Sequence, residues 1–401
     1  MKSCIKITRY KLKLSKKFFK DIILFTAIFS CLLNLSCNQE SKSEYKQLAI
    51  KGTKNKSIQS IELDTIVIDK SPISYIGHFF YHHNHFYFAD KIFSSVYQFD
   101  LEGNYLKRFL GMGTGPSEMN GALIKAIPFS DSSYVTIDGS WNIYHFNKNF
   151  NDKYKQHLNW NIKKAYKDLL RFPEPGDRGI YELSYAALKL KKLNENQVGL
   201  TISSSHPRFN PYYKTRHNYY SESFTIAAVD IRTGRVDTML LHHSPIYQKF
   251  HYIPNFQYPL FEMHDTLMYA GFEIDSLIYC YNYPDSLLYA FGFKGREMNQ
   301  NYPERKSFEQ SEKYLHQDRE TYGYYKALIF IEHTNLLFRT YQKGNKATSD
   351  GLQIYKNTEL IGDVDVPRGF KILGYKDPYY FAQGQINEIE EHVVLYKFKL
   401  K

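Results

Sequence analysis

Short stretches of alternating apolar and polar residues, separated by turn residues, run through most of the chain. A period of two predicts β-strands that bury one face. The clearest group of strands spans 86–90, 96–100 and 105–109. A second group repeats its landmarks, because Asp138 follows Asp90 by 48 residues and Phe146 follows Phe99 by 47. A repeat of this length predicts a four-stranded propeller blade.

Weaker copies of the same pattern follow along the chain, at 228–236, 279–289 and 354–361. The strand at 393–398 lacks a following partner, and the strand at 60–69 lacks a preceding one. We therefore predict an all-β fold over 57–401, a six-bladed β-propeller in which the N-terminal strand completes the last blade. Helical patterns at 160–171 and 304–320 and a polar loop at 203–222 are predicted insertions.

The N-terminal segment has the layout of a signal peptide over residues 1–36, with a basic region followed by an apolar run at 22–36. That run is short for a transmembrane helix, which needs about 20 residues. We expect Cys37 to be the lipid-bearing first residue of the mature protein, followed by a polar tether over 37–56. Cys31 is the competing site, because Asn34 stands where a Leu is usual; an uncleaved anchor helix is the other alternative.

Charge and cysteine content narrow the function further. The chain has a net charge of +11, of which residues 1–36 carry +7, so +4 remains for 37–401. A domain of this size at +4 lacks the electrostatic character of a nucleic-acid binder. With Cys37 acylated, Cys280 is the one cysteine left after the signal, so no intrachain disulfide is expected, and its apolar strand predicts a buried thiol.

A glycine-rich turn follows the first predicted blade hairpin and contains Gly111, Gly113, Gly115, Pro116 and Glu118. With a second turn at 291–298, it resembles the G-x-G-P-x-E turn of six-bladed, TolB-like propeller lipoproteins of Bacteroidetes, although Ser117 stands where Gly is usual. The resemblance implies the propeller fold and an outer-membrane location in the cell envelope, and no reaction. We interpret the turn as structural, since it lacks the Lys-Ser/Thr of a phosphate-binding loop.

The predicted binding site is the loop 206–220, where aromatic side chains stand beside basic ones. Such a surface suits a sugar or an anion, through stacking and charge-assisted hydrogen bonds. The candidate ligand-binding residues are Arg208, Tyr212, Tyr213, Arg216 and Tyr219. The histidines at 78, 82, 83 and 85 are interpreted as a solvated turn, and we expect no metal or other cofactor.

These observations favour an envelope-anchored binding module over an enzyme. Its membrane contact would be the lipid anchor, and its partner a glycan, a peptide or an envelope protein. The chain contains no Gly-x-Ser-x-Gly, His-Glu-x-x-His or Cys-x-x-Cys motif, so no catalytic residue is assigned. A hydrolase or lyase with carboxylates or histidine at the propeller axis is the alternative, and an envelope assembly subunit is a third possibility.

Overall fold

The computed structural model describes residues 45, 48–151, 154–184, 187–210, 219–250, 252–284 and 286–400. The chain divides into two compact units, 1–46 and 47–401, and the strands belong to the second. The predicted signal peptide, Cys31 and Cys37 lie outside the described residues. The lipoprotein interpretation therefore stays a prediction.

Six sheets form the blades of a six-bladed β-propeller, which confirms the predicted fold class. Two strands precede the first blade, β1 (Lys54–Ile58) and β2 (Asp64–Asp69). Blade I contains β3 (Gly77–His82), β4 (His85–Asp90), β5 (Ser95–Phe99) and β6 (Tyr105–Phe109). Blade II contains β7 (Leu123–Ser130), β8 (Ser133–Asp138), β9 (Asn142–Asn147) and β10 (Tyr154–His157). Blade III contains β11 (Tyr181–Leu183), β12 (Leu190–Lys192), β13 (Gln197–Ser204), β14 (Phe224–Asp230) and β15 (Val236–His242).

The remaining blades follow in chain order, and the predicted copies of the strand pattern fall within them. Blade IV contains β16 (Pro259–His264), β17 (Leu267–Phe272), β18 (Ile278–Asn282) and β19 (Ser286–Phe291). Blade V contains β20 (Tyr322–Ile331), β21 (Leu336–Gly344), β22 (Ser349–Lys356) and β23 (Glu359–Pro367). Blade VI contains β24 (Lys371–Lys376), β25 (Tyr379–Asn387) and β26 (His392–Phe398).

The N-terminal strand β2 completes blade VI. It pairs antiparallel with β26, with Val67 opposite Val394, so the predicted closure of the ring is confirmed. The innermost strands contact one another in a closed circle, from β3 through β7, β12, β16, β20 and β24 back to β3. Upstream of β2, strand β1 pairs in parallel with β23, and the amide of Lys51 donates to the carbonyl of Ala290. Part of the tether predicted over 37–56 is thus paired with the outer edges of blades IV and V.

The two aspartates spaced by 48 residues occupy the same position in blades I and II, at the end of the second strand. Asp90 ends β4, and its carboxylate accepts hydrogen bonds of 2.9 Å from the amides of Ile92 and Phe93. Asp138 ends β8 and likewise accepts from the amides of Ser140 and Asn142, both at 2.9 Å. A short acceptor side chain at this position satisfies turn amides that the strands leave unpaired.

Hydrophobic clusters lie between neighbouring blades, and aromatic rings fill much of them. Phe80 stacks on Tyr87 with ring centroids 5.1 Å apart, and Tyr134 stacks on Phe150 at 4.1 Å, all within the cluster of blades I and II. Cys280 is buried in the cluster of blades IV and V, as predicted, and burial raises the pKa of its thiol. The aromatic content of the chain is therefore used mainly in packing.

The two faces of the propeller differ in their connections. In blade I, His78 near the start of β3 lies opposite Ala89 near the end of β4. The connections between blades therefore share one face with the turns between second and third strands; we call it the insertion face. It carries α1 (Tyr166–Arg171), α2 (Tyr219–Glu222) and α3 (Phe308–Thr321). None of the helices in the described ranges is long and apolar enough to span a membrane.

Candidate functional site

A cavity of about 530 Å³ follows the propeller axis. Its wall is built from the innermost strands of the blades, which converge there because the ring closes. Five lysines of blades II, III and VI line it: Lys192 pairs with Glu195 at one end, and the other four are Lys125, Lys189, Lys191 and Lys371. All four side chains are half-buried. A volume of this size suits a small organic ligand, for which cavities of about 300–1,000 Å³ are typical.

The four ammonium groups differ in their partners. Lys189 Nζ donates to the carbonyl oxygen of Pro259 at 2.6 Å, and Lys191 forms an ion pair with Glu262 across blades III and IV. Among the described residues, Lys125 and Lys371 form no ion pair or hydrogen bond through Nζ. These two side chains therefore face the cavity without an ion pair or hydrogen bond of their own, and the nearby charge of Glu262 acts on Lys371 from a distance.

The lysines raise one another's electrostatic energy. Burial lowers the pKa of Lys371 to about 7, with further lowering by Lys191 and Lys125. Burial also lowers the pKa of Lys189 to about 7, and that of Lys125 to about 8, where Lys91 contributes as well. A protonated lysine here has lost part of its hydration and faces like charges. An anion bound between the lysines would relieve both costs.

His78 lies at the same level of the cavity. Its Nε2 is 3.0 Å from the carbonyl oxygen of Ala126, and its buried Nδ1 has no hydrogen-bond partner within the described chain. Burial lowers the pKa of His78 well below its usual value, and the charge of Lys125 adds to this. The imidazole is therefore neutral near pH 7. Of the four histidines that the sequence places in a solvated turn, His83 is exposed in the turn after β3, whereas His78 lines the cavity. The prediction therefore holds for only part of the set.

The opposite end of the cavity is acidic and open. The wall ends at Glu195, Asp265 and Glu332, which are exposed where the inner strands finish. Asp265 is 81% exposed, and Glu195, at 78%, forms an ion pair with Lys192. We call Lys125, Lys189 and Lys371 the cavity floor and these three carboxylates the cavity rim. Since the inner strands begin at the insertion face, the rim lies on the other face.

Apolar residues form the wall between floor and rim. Phe80, Ile127, Ile329, Ile331 and Leu373 lie along this stretch. The ring of Phe330 stacks on His264 with centroids 4.0 Å apart, which fixes the wall of blades IV and V. The cavity thus offers a charged floor, an apolar middle and an acidic opening.

The predicted binding loop lies on the insertion face, away from the rim. Arg208 is exposed, whereas Tyr219 is 3% exposed and packs against His243 with ring centroids 4.8 Å apart. Tyr212, Tyr213 and Arg216 lie outside the described residues. Neither Arg208 nor Tyr219 lines the axial cavity. A binding role for this loop stays a prediction.

The glycine-rich turn is built around a carboxylate. Oε2 of Glu118 accepts a hydrogen bond of 2.8 Å from the amide of Gly115. A Cβ atom on Gly113 would lie 2.1 Å from the same oxygen, so a side chain there would displace it. Around Gly111 no atom lies within 4 Å of such a Cβ. Gly113 and Glu118 thus fit a structural role for the turn.

Sequence reasoning missed the cavity lysines. Each occupies an otherwise apolar strand or the residue beside one, as in Leu188-Lys189-Leu190-Lys191 and Phe370-Lys371-Ile372. A lysine at the start of a blade's first strand is the signal that could have found them. Across the described ranges, no group of three His, Cys, Asp or Glu residues is arranged to hold a metal ion.

Fold and cavity together define the class of the molecule, a six-bladed β-propeller with a cationic axial cavity. No family profile and no curated protein matches the chain. Among solved structures, the chain is similar to a member of the DUF4221 family from Bacteroides vulgatus, with a TM-score of 0.64 and 13% identity over 86% of this chain and 99% of that one. A putative exported protein from Bacteroides fragilis aligns with a TM-score of 0.48 and 15% identity, over 88% and 100% of the two chains. At 13% identity, the likeness to the DUF4221 protein concerns the fold alone.

Proposed function

We propose that this protein is a binding module of the cell envelope that holds an anionic ligand at the floor of its axial cavity. The observation that carries the proposal is the pair Lys125 and Lys371, whose ammonium groups face the cavity without an ion-paired or hydrogen-bonded partner among the described residues. Lys189 adds positive charge at the cavity floor, whereas Lys191 is paired with Glu262.

The energetics favour an anion with at least one carboxylate or phosphate oxygen. Charge-assisted hydrogen bonds between ammonium groups and such oxygens are about twice as strong as neutral ones. Inside a cavity the effective dielectric constant is lower than in water, so the attraction is larger than at an exposed surface. A ligand that neutralises two mutually repelling lysines also removes their repulsion, and their pKa values would rise on binding.

The location rests on the sequence. A basic segment followed by a short apolar run is typical of a signal peptide, and Cys37 with the polar residues after it supports acylation. The resemblance of the 111–118 turn to TolB-like propeller lipoproteins supports an outer-membrane address. A lipid anchor would hold the propeller at the membrane while the cavity stays open to solvent.

Isothermal titration calorimetry of the purified protein against citrate, glucuronate, phosphate and sulfate at low ionic strength tests the proposal. We expect at least one of these anions to bind, and binding to weaken tenfold or more in Lys371→Met and in Lys125→Met. Lys167→Met, which removes an exposed lysine of α1, should leave affinity unchanged. Binding that is equal in all four proteins, or none in the folded wild type, would overturn the proposal.

A further inference from the structure

We infer that the ligand is dipolar, with its anionic group at the cavity floor and a cationic group at the cavity rim, as in a short peptide with free termini. This inference rests on the proposed function and specifies the ligand class. The observation that carries it is that the two ends of one cavity have opposite charge: lysines line the floor, and carboxylates line the rim.

The rim is acidic in its own right. Oδ2 of Asp265 lies 3.8 Å from Nε2 of His264, and this histidine is charged only when it is protonated. Glu332 forms no ion pair in the described part of the chain. Glu195 is the one rim carboxylate paired with a lysine, Lys192. The opening therefore carries negative charge, through which a purely anionic ligand would have to pass.

Charge of one sign at a cavity entrance changes which ligands concentrate there. A polyanion such as citrate is attracted by the lysines of the floor and repelled by the carboxylates of the rim. A molecule with one positive and one negative end is attracted at both ends when its anionic group faces the floor and its cationic group faces the rim. The arrangement thus selects for orientation as well as for charge.

The depth of the cavity sets the length of the ligand. Asp265 follows Glu262 by three residues and Glu195 follows Lys191 by four. At about 3.3 Å per residue of strand, the rim lies about 10–13 Å from the ion pair of Lys191 and Glu262, whose charges act on Lys371 of the floor. An extended tripeptide spans about 10 Å. Its side chains would lie against the apolar wall that includes Ile127 and Ile329.

Three peptides of similar shape test the two ends of the cavity separately: trialanine, N-acetyl-trialanine, which lacks the cationic group, and trialanine amide, which lacks the anionic group. They are titrated calorimetrically into the purified protein at pH 6.5, where the peptide amine is protonated. We expect trialanine to bind, its acetylated form to bind at least fivefold more weakly, and the amide at least tenfold more weakly. In the double variant Asp265→Asn, Glu332→Gln, the affinity for trialanine should fall to the affinity that the wild type has for N-acetyl-trialanine. Glu388→Gln, an exposed carboxylate on the insertion face, is the matched control and should change nothing.

The outcomes distinguish this inference from the proposed function. Equal binding of trialanine and N-acetyl-trialanine would overturn the dipolar ligand and leave an anionic one. So would an absence of trialanine binding in a protein that binds citrate or phosphate at the lysines. If the amide bound as tightly as the acid, and no anion bound at all, both would be wrong.

Discussion

Lys191 of blade III and Glu262 of blade IV form an ion pair inside the axial cavity. The pair joins two neighbouring blades and neutralises one of the five lysines that line the cavity. Its carboxylate therefore sets how positive the cavity is, and it provides a first test of the electrostatic argument.

We expect Glu262→Gln to strengthen anion binding several-fold, because Lys191 then loses its counter-charge. The same change should lower the free energy of unfolding by about 1–3 kcal/mol, between the values of exposed and buried ion pairs. Calorimetry and urea denaturation measure the two effects. An anion affinity that falls or stays unchanged in this variant would contradict the electrostatic argument.

The pKa shifts of the lysines predict how stability depends on pH. Lys189 and Lys371 have folded-state pKa values of about 7, below the value of about 10.4 in an unfolded chain. Between these values the unfolded state binds more protons, so the contribution of these lysines to stability rises with pH. Urea denaturation at pH 7 and pH 9 should show wild type gaining stability relative to Lys371→Met. A difference that is constant with pH would contradict the lowered pKa.

Ligand binding should depend on pH in the opposite direction. The anion binds the protonated lysines, so its affinity should fall as pH rises from 6.5 to 9. Binding at pH 7 should also take up protons, which calorimetry in buffers of different ionisation enthalpy detects. An affinity that increases towards pH 9 would exclude the lysines as the binding groups.

Two glycines of one turn make a matched pair. Gly113→Ala should destabilise the protein by about 1–3 kcal/mol, because the new methyl group displaces the Glu118 carboxylate from the Gly115 amide. Gly111→Ala, with no atom within 4 Å of its Cβ, should cost little. Thermal denaturation of the two variants checks this, and similar melting temperatures would show that the turn is not built around Glu118.

Arg339 is a buried cation between blades IV and V. It is 0% exposed, and its Nη2 donates to the carbonyl oxygens of Ser276 and Phe293, both at 2.9 Å. Its guanidinium also lies 3.9 Å from the ring centroid of Tyr325. Arg339→Met should lower the free energy of unfolding by several kcal/mol, since each buried acceptor left without a donor costs about 1–3 kcal/mol. The side-chain amide of Gln353 also donates to the carbonyl of Phe293, at 3.0 Å, but it leaves that of Ser276 without a donor. An unchanged denaturation midpoint would contradict this prediction.

The fold was more predictable than the site. Alternation within strands and the recurrence of Asp90 and Asp138 are local properties, and they indicate blades wherever they repeat. The unpaired strands at the two ends of the sequence made closure the simple solution. The cavity lysines come from three blades, so their meeting depends on how six sheets are arranged around an axis. A local sequence pattern contains no information on the distance between residues of different blades.

The loop 206–220 shows the converse. Its aromatic and basic residues form a conspicuous stretch of sequence, yet composition alone does not distinguish a ligand-binding side chain from a packed one. Tyr219 is buried against His243, as a packed residue would be. Lys371, by contrast, is inconspicuous in sequence and central in space.

The pairing of β2 with β26 ties the assembly of the ring to the order in which the chain is made. Residues 64–69 leave the ribosome more than 300 residues before their partner at 392–398. The first five blades can therefore form while the sixth waits, and the edge of β2 stays open throughout synthesis. Contacts of such sequence separation form slowly and leave strand edges prone to aggregation. A chain truncated before its last strand would leave the ring without a closed sixth blade, and the cavity that depends on that ring would lose its wall.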